Sequence, residues 1–240
     1  MLDIENFKIK LFADGANIES MISLYKDPKI KGFTTNPTLM NKAGIKSYET
    51  FARQVIEAIP DKPISFEIFA DDLDTMLRQA IRIASWGKNV NVKIPITNTQ
   101  GEFTGPIIKE LSEKNIQLNI TAIFTINQVK NAVANLCSDT PAIISVFAGR
   151  IADTGVDPIP IMADCLKILE SRPKAELLWA SPRELLNIIQ ANDVGCHIIT
   201  ATTDLLNKLS LLNKDHSIFS LETVKMFYND AVAAGYKITI

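Results

Sequence analysis

The stretch NVNVKIPIT (residues 89–97) places a single amine, Lys93, inside a run that otherwise has the composition of a buried strand. An unpaired ammonium is costly to bury, so a lysine in that setting is paired, shifted toward its neutral form, or used in chemistry. A neutral amine adds to carbonyls, and the Schiff base that results withdraws electrons, so a C–C bond beta to that carbon can break or form. Such a reaction needs groups that move protons and groups that hold hydroxyls. Glu67 and Asp14 supply two carboxyls, while Asn36, Asn119, Thr121 and Ser145 could orient hydroxyls and a water. The inventory suits a polyhydroxy ketone and an aldol-type reaction. Arg150 in VFAGRIADTG, with Ser181 and Arg183 in LLWASPREL, suits a phosphate on that substrate, since Arg can bind phosphate through two parallel hydrogen bonds. The two histidines, His197 and His216, lack metal-ligand spacing, and His197 reads as a satisfied core residue of the last strand.

Those residues must be carried on elements that converge. Strand-like runs recur at 9–14, 32–36, 64–69, 90–95, 117–123, 142–148, 176–181 and 197–202. Helical patterns lie between them. In DLDTMLRQAIRIASW, Leu73, Met76, Leu77, Ala80, Ile83 and Ala84 form one face. In TINQVKNAVANL, Thr125 and Gln128 have capping-box spacing, with Val129, Ala132, Val133 and Leu136 on the stripe that follows. Alternating strands and helices point to a parallel sheet, and about eight such units in this length fit an α/β fold of the (β/α)8 TIM-barrel type. An open doubly wound sheet is the alternative, weakened because DGAN after the first strand is not a dinucleotide-binding loop. One barrel domain is expected over residues 1–240, with 221–240 as a C-terminal helix and tail.

Alternation along the strands divides their residues between two sides. Leu11 and Ala13 oppose Phe12 and Asp14; Phe66 and Ile68 oppose Ser65, Glu67 and Phe69; Val90, Val92 and Ile94 oppose Asn91, Lys93 and Pro95. Likewise Leu118, Ile120 and Ala122 oppose Gln117, Asn119 and Thr121, and Ile144 and Val146 oppose Ile143, Ser145 and Phe147. The apolar side must face the helices, so the polar side faces the barrel interior. Its polar members cluster toward the C-terminal halves of the strands, where barrel enzymes assemble their sites. Taken singly each has a bland reading: Asp14 or Asn36 as a helix cap, Glu67 as the salt-bridge partner of Lys93. Seven polar residues converging on one end are hard to explain as caps.

Composition narrows the remainder. With 240 residues, 47% hydrophobic and 22% charged, the chain can bury a large core. A net charge of −2 gives no footprint for nucleic acid. The three cysteines, Cys137, Cys165 and Cys196, read as buried small hydrophobes of a reducing compartment. The N-terminus lacks an apolar signal region and no run is long enough to span a bilayer, so a cytoplasmic protein without membrane association is expected.

The motifs GFTTNPTL (32–39), VKIPIT (92–97), LNITAIFT (118–125), SVFAGRIAD (145–153) and WASPRE (179–184), with LFADGAN (11–17), occur in this order along nearly the whole chain. In them the chain resembles the transaldolase family, especially its short, barrel-only members. The resemblance implies that Lys93 forms the Schiff base and that Glu67 is the acid/base acting through a water held with the help of Thr121. Asp14 would exchange the proton of the sugar C4 hydroxyl. Asn36, Asn119 and Ser145 would bind hydroxyls of the three-carbon fragment, Phe147 would also line the substrate site, and Arg150, Ser181 and Arg183 would bind phosphate. The implied reaction moves a dihydroxyacetone unit from a ketose phosphate such as fructose 6-phosphate to an aldose phosphate such as erythrose 4-phosphate, as in pentose phosphate metabolism. It uses no metal and no organic cofactor.

Related fructose-6-phosphate aldolases release free dihydroxyacetone instead. They commonly carry Gln at the position of Glu67 and Tyr at that of Phe147, so the residues found here favour transfer. One departure is Gly15, where the family more usually has Thr or Ser; a transaldolase specialised for a non-standard sugar is therefore a further alternative. A barrel that binds without catalysis is a third reading, and the presence of Lys93 and both carboxylates argues against it. The C-terminal segment LETVKMFYNDAVAAGYKITI either contacts a neighbouring subunit, which would make a homo-oligomer, or covers the end of its own barrel.

Overall fold

A computed structural model describes residues 3–240. Eight parallel strands close into a barrel in chain order, β1 pairing with β2 on one side and β8 on the other. They are β1 (Lys10–Asp14), β2 (Ile30–Thr34), β3 (Ile64–Glu67), β4 (Val90–Pro95), β5 (Leu118–Ile123), β6 (Ala142–Val146), β7 (Ala175–Trp179) and β8 (Ile198–Thr202). The helices are α1 (Ile18–Tyr25), α2 (Pro37–Lys42), α3 (Tyr48–Ala58), α4 (Leu73–Ala84), α5 (Gly105–Glu113), α6 (Ile126–Ala134), α7 (Ala148–Ala152), α8 (Pro158–Leu169), α9 (Leu186–Val194), α10 (Thr203–Asn207) and α11 (His216–Ala233). This is the (β/α)8 barrel expected from the alternation, with a C-terminal helical extension. β2 lies two residues earlier than its sequence pattern suggested, because Asn36 leaves the strand to cap α2.

Local chemistry sets the helix starts. Asn17, Ser47 and Asp72 each accept a hydrogen bond from a backbone N–H in the first turn of α1, α3 and α4, satisfying a donor the helix itself cannot pair. Thr125 and Gln128 close the anticipated capping box on α6, and Val129, Ala132, Val133 and Leu136 are buried behind it. On α4 the buried residues are Met76, Ala80 and Ile83, with Leu73, Leu77 and Ala84 packed at the edge of the same core.

The main core lies between strands and helices and takes the apolar side of each strand, including Val92, Ile94, Leu118, Ile120, Ile144 and Val146. A second, smaller cluster fills the barrel itself: Phe12, Ile143, Leu178, Ala180 and Ile198. Phe12 lies flat across β2, where a Cβ on Gly32 would come within 2.5 Å of its ring, so only glycine admits this plug.

Three expectations need correction. Ala122 does not share a side with Leu118 and Ile120: its φ of 59° and the broken register between Ile120 and Ile123 mark a bulge. The bulge turns Ala122 toward the barrel mouth and sends Ile123 into the core instead. His197 is neither core nor strand. It is exposed just ahead of β8, and its Nδ1 accepts a hydrogen bond from the Leu177 N–H at 3.0 Å. Cys165 and Cys196 are buried, their thiols pushed up to about 12 chiefly by desolvation, whereas Cys137 is only half-buried.

The C-terminal helix begins earlier than residue 221, at His216, where Asp215 caps it. No residue of α11 is buried, so it does not cover the end of its own barrel; Ile218, Leu221, Val224 and Phe227 are each more than half exposed. Among the described residues no helix is long and apolar enough to cross a membrane.

Candidate active site

The polar residues of the strand ends meet in a cavity of about 370 Å³ at the C-terminal mouth of the barrel. Asp14, Asn36, Glu67, Lys93, Asn119, Thr121, Ser145, Phe147, Arg150 and Ser181 all line it. Arg183 does not. Its guanidinium is turned to Asp153, with Nε 2.9 Å from Oδ1, and this partner holds the Asp153 carboxyl below the usual carboxylate range.

Lys93 is 8% exposed and stands at the centre. Its Nζ lies 3.1 Å from Glu67 Oε2 and donates a hydrogen bond to the Thr35 carbonyl at 3.1 Å. Register creates the pair, because Glu67 and Lys93 are directly opposed on β3 and β4 and both point inward. Tyr48 fixes the end of β3 by donating its hydroxyl to the Glu67 carbonyl at 2.8 Å, and burial raises the pKa of that phenol far above its ordinary value.

Asp14 ends β1 across the cavity. Its Oδ1 accepts from Thr34 Oγ1 at 2.8 Å and its Oδ2 from Asn36 Nδ2 at 3.2 Å. Desolvation raises the Asp14 pKa, and the opposing pull of the Lys93 ammonium and of the two hydrogen bonds does not cancel it. Asn36 is both cap and site residue: its Oδ1 accepts the Leu39 N–H at 2.9 Å while its amide nitrogen serves Asp14.

Between β3 and β6 runs a buried relay. Ser145 Oγ donates to Asn119 Oδ1 at 2.6 Å, and Asn119 Nδ2 donates to Ser65 Oγ at 2.9 Å. Beside it Thr121 Oγ1 is buried without a hydrogen-bond partner among the described residues. Buried hydroxyls are rarely left so. Thr121 lines the cavity, so this hydroxyl stands close to any molecule that enters it.

The corner around Arg150 and Ser181 depends on one close approach. A Cβ on Gly149 would fall 1.6 Å from the Ser181 carbonyl oxygen, so glycine alone lets the start of α7 meet the loop after β7. Ser181 takes a φ of 62° there, a conformation uncommon outside glycine and found preferentially at functional sites. The Arg150 guanidinium lies 5.3 Å from the Phe147 ring centroid and is carried toward the mouth beside Ser181.

Sequence reasoning overlooked Thr34 and Thr200. Both are buried, both line the cavity, and their hydroxyls are 2.5 Å apart beneath Asp14. The signal was present: Thr34 has the parity of Asn36, and Thr200 alternates with apolar Ile199 and Ala201. Gly15 stands next to Asp14 with nothing within 4 Å of where a Cβ would be, so a side chain there would meet open space.

The sequence model of the family described as Transaldolase/Fructose-6-phosphate aldolase matches residues 11–238. A protein from Dehalococcoides mccartyi described as "Probable transaldolase" is 35% identical over 203 residues, covering 84% of this chain and 90% of its own. One so described from Streptococcus equi subsp. equi is 32% identical with the same coverage. Among solved structures, a dihydrodipicolinate synthase family protein from Coccidioides immitis superposes with a TM-score of 0.59 at 12% identity, over 100% of this chain and 82% of that one, a likeness of fold alone.

Proposed function

Because this chain belongs to the transaldolase/fructose-6-phosphate aldolase family, we propose that it transfers a dihydroxyacetone unit from a ketose phosphate to an aldose phosphate through a Schiff base on Lys93. The observation that carries the reading is the Lys93–Glu67 pair, an amine and a carboxyl 3.1 Å apart inside a cavity lined with hydroxyls and amides.

In this reading Lys93 passes its proton toward Glu67 and adds to the C2 carbonyl of the donor. Glu67, through a water held at Thr121, returns the proton to the new hydroxyl, which leaves as water and gives the iminium. Asp14 then takes the proton of the C4 hydroxyl. The C3–C4 bond breaks, its electrons pass into the iminium to form an enamine, and a three-carbon aldehyde phosphate departs. An aldehyde acceptor reverses these steps and water releases the product. Burial fits Asp14 to the work, since a carboxylate whose pKa is raised above its ordinary value takes a proton more readily. Asn36, Asn119 and Ser145 hold the fragment, Phe147 walls it, and Arg150 and Ser181 take the phosphate. Arg183 joins them only by leaving Asp153; otherwise it positions the loop.

The exposed apolar side chains of α11 support a homo-oligomer in which that helix is covered by another copy. The free, buried thiols of Cys165 and Cys196 suit the reducing cytoplasm.

Borohydride trapping with fructose 6-phosphate, followed by peptide mass spectrometry, tests the mechanism. A reduced dihydroxyacetone adduct on Lys93 is expected, and, without borohydride, passage of the bound fragment to added erythrose 4-phosphate separates transfer from simple release. A folded protein that gives no adduct with any ketose phosphate would overturn the proposal.

A further inference from the structure

At the opposite, N-terminal end of the barrel lies a second cavity of about 380 Å³. Strand beginnings form its walls: Lys10 opens β1, Gln117 precedes β5, Asn91 is second in β4 and Glu176 second in β7.

Two of its features point to a ligand. Asn91 is 5% exposed, yet its side-chain amide makes no hydrogen bond to any described residue. Gln117, half-buried on the neighbouring strand, is likewise without a side-chain partner. Amides of buried residues are normally satisfied, and Asn91, with Gln117 beside it at the cavity wall, offers donors and acceptors to whatever occupies the space.

Charge supplies the second feature. Lys10, Lys31 and Lys174 line the cavity against one acid, Glu176. Lys10 is held by Glu176 at 2.6 Å, and Lys174 donates to the Asp139 carbonyl at 2.8 Å with the Asp139 carboxylate 3.8 Å away. Lys31 has no acidic partner among the described residues. Rim lysines on their own are ordinarily just solvated; here they surround a buried, unsatisfied amide.

We infer that this cavity binds a small oxyanion that also carries hydroxyl groups, the lysines meeting the charge and the amides of Asn91 and Gln117 meeting the hydroxyls. A phosphate ester and a hydroxycarboxylate share that chemistry. The site is separate from the catalytic mouth, because Phe12 and Ile143 of the interior plug stand between them. It is also one layer below it. Asn91, Gln117, Phe12 and Ile143 each precede by two residues, on the same side of the strand, Lys93, Asn119, Asp14 and Ser145. The inference holds whatever reaction the mouth performs.

Isothermal titration with glycerol 3-phosphate and, separately, malate tests it on full-length protein carrying Arg150→Ala, which weakens anion binding at the catalytic mouth. Saturable binding of at least one probe is expected, and the probe that binds assigns the anion. Lys31→Ala and Lys174→Ala, both at the rim, should each weaken it roughly three- to tenfold. Asn91→Ala should weaken it too while leaving the thermal midpoint in place, since that amide bonds to none of the described residues. Absence of binding by both probes, or affinity unchanged in both lysine variants, overturns the inference.

Discussion

Glu67 and Lys93 are register partners on β3 and β4, and inside the barrel their side chains form an ion pair at 3.1 Å with side-chain exposures of 17% and 9%. Neither charge has ready access to water, so removing one leaves the other poorly solvated. Lys93→Met and Glu67→Gln are each expected to lower stability by about 1–3 kcal/mol, with the double variant recovering part of that loss. Urea unfolding of the four proteins measures the coupling. Strict additivity would mean that the pair does not hold its partners. Lys93→Met should abolish turnover, and Glu67→Gln should reduce kcat by roughly 10²- to 10⁴-fold.

Asp14 makes stability depend on acid pH. Its folded-state pKa lies above the ordinary carboxylate value, so the folded protein holds that proton more tightly than the unfolded chain does. The resulting stabilisation is full below about pH 4 and is lost as pH rises through the folded pKa. Asp14→Asn lacks the effect. The thermal midpoint of wild type minus that of the variant should therefore shrink, or change sign, between about pH 3 and neutrality. A difference that is flat or grows with pH contradicts the assignment.

Thr121 separates structure from function. Its hydroxyl is buried and unpartnered among the described residues, so Thr121→Val removes no hydrogen bond to any of them. The midpoint should stay the same or rise by ~2–4 °C, which for a chain of this size corresponds to about 1 kcal/mol. If the hydroxyl holds a water for proton transfer, kcat should fall by roughly tenfold or more. Unchanged kcat would remove Thr121 from the mechanism.

Gly15 leaves open space beside Asp14, and its φ is not in the left-handed region. Gly15→Thr should accordingly fold with little change in stability. If the space accommodates part of an unusual sugar, the variant should alter relative rates across a panel of ketose phosphates by at least about threefold, a difference of ~0.7 kcal/mol. A uniform change, or none, would show that donor choice lies elsewhere.

The boundary between what could be read and what could not follows the range of the interactions. Alternation is a property of the extended backbone, so the sequence alone determined that Asp14, Glu67, Lys93, Asn119, Thr121 and Ser145 face inward. Caps act over a few residues, which is why the box at Thr125 and Gln128 was legible as well. Pairings between distant segments were not. Only the closed barrel decided that Glu67 stands opposite Lys93, that a bulge at Ala122 reverses the parity after Thr121, and that Asp153 draws Arg183 out of the cavity. The exposure of α11 also emerged only there, because an apolar run has the same composition whether its own barrel covers it or leaves it bare. A strand dictates where its own side chains point; which partners they meet depends on register, and register is set by the neighbouring strand.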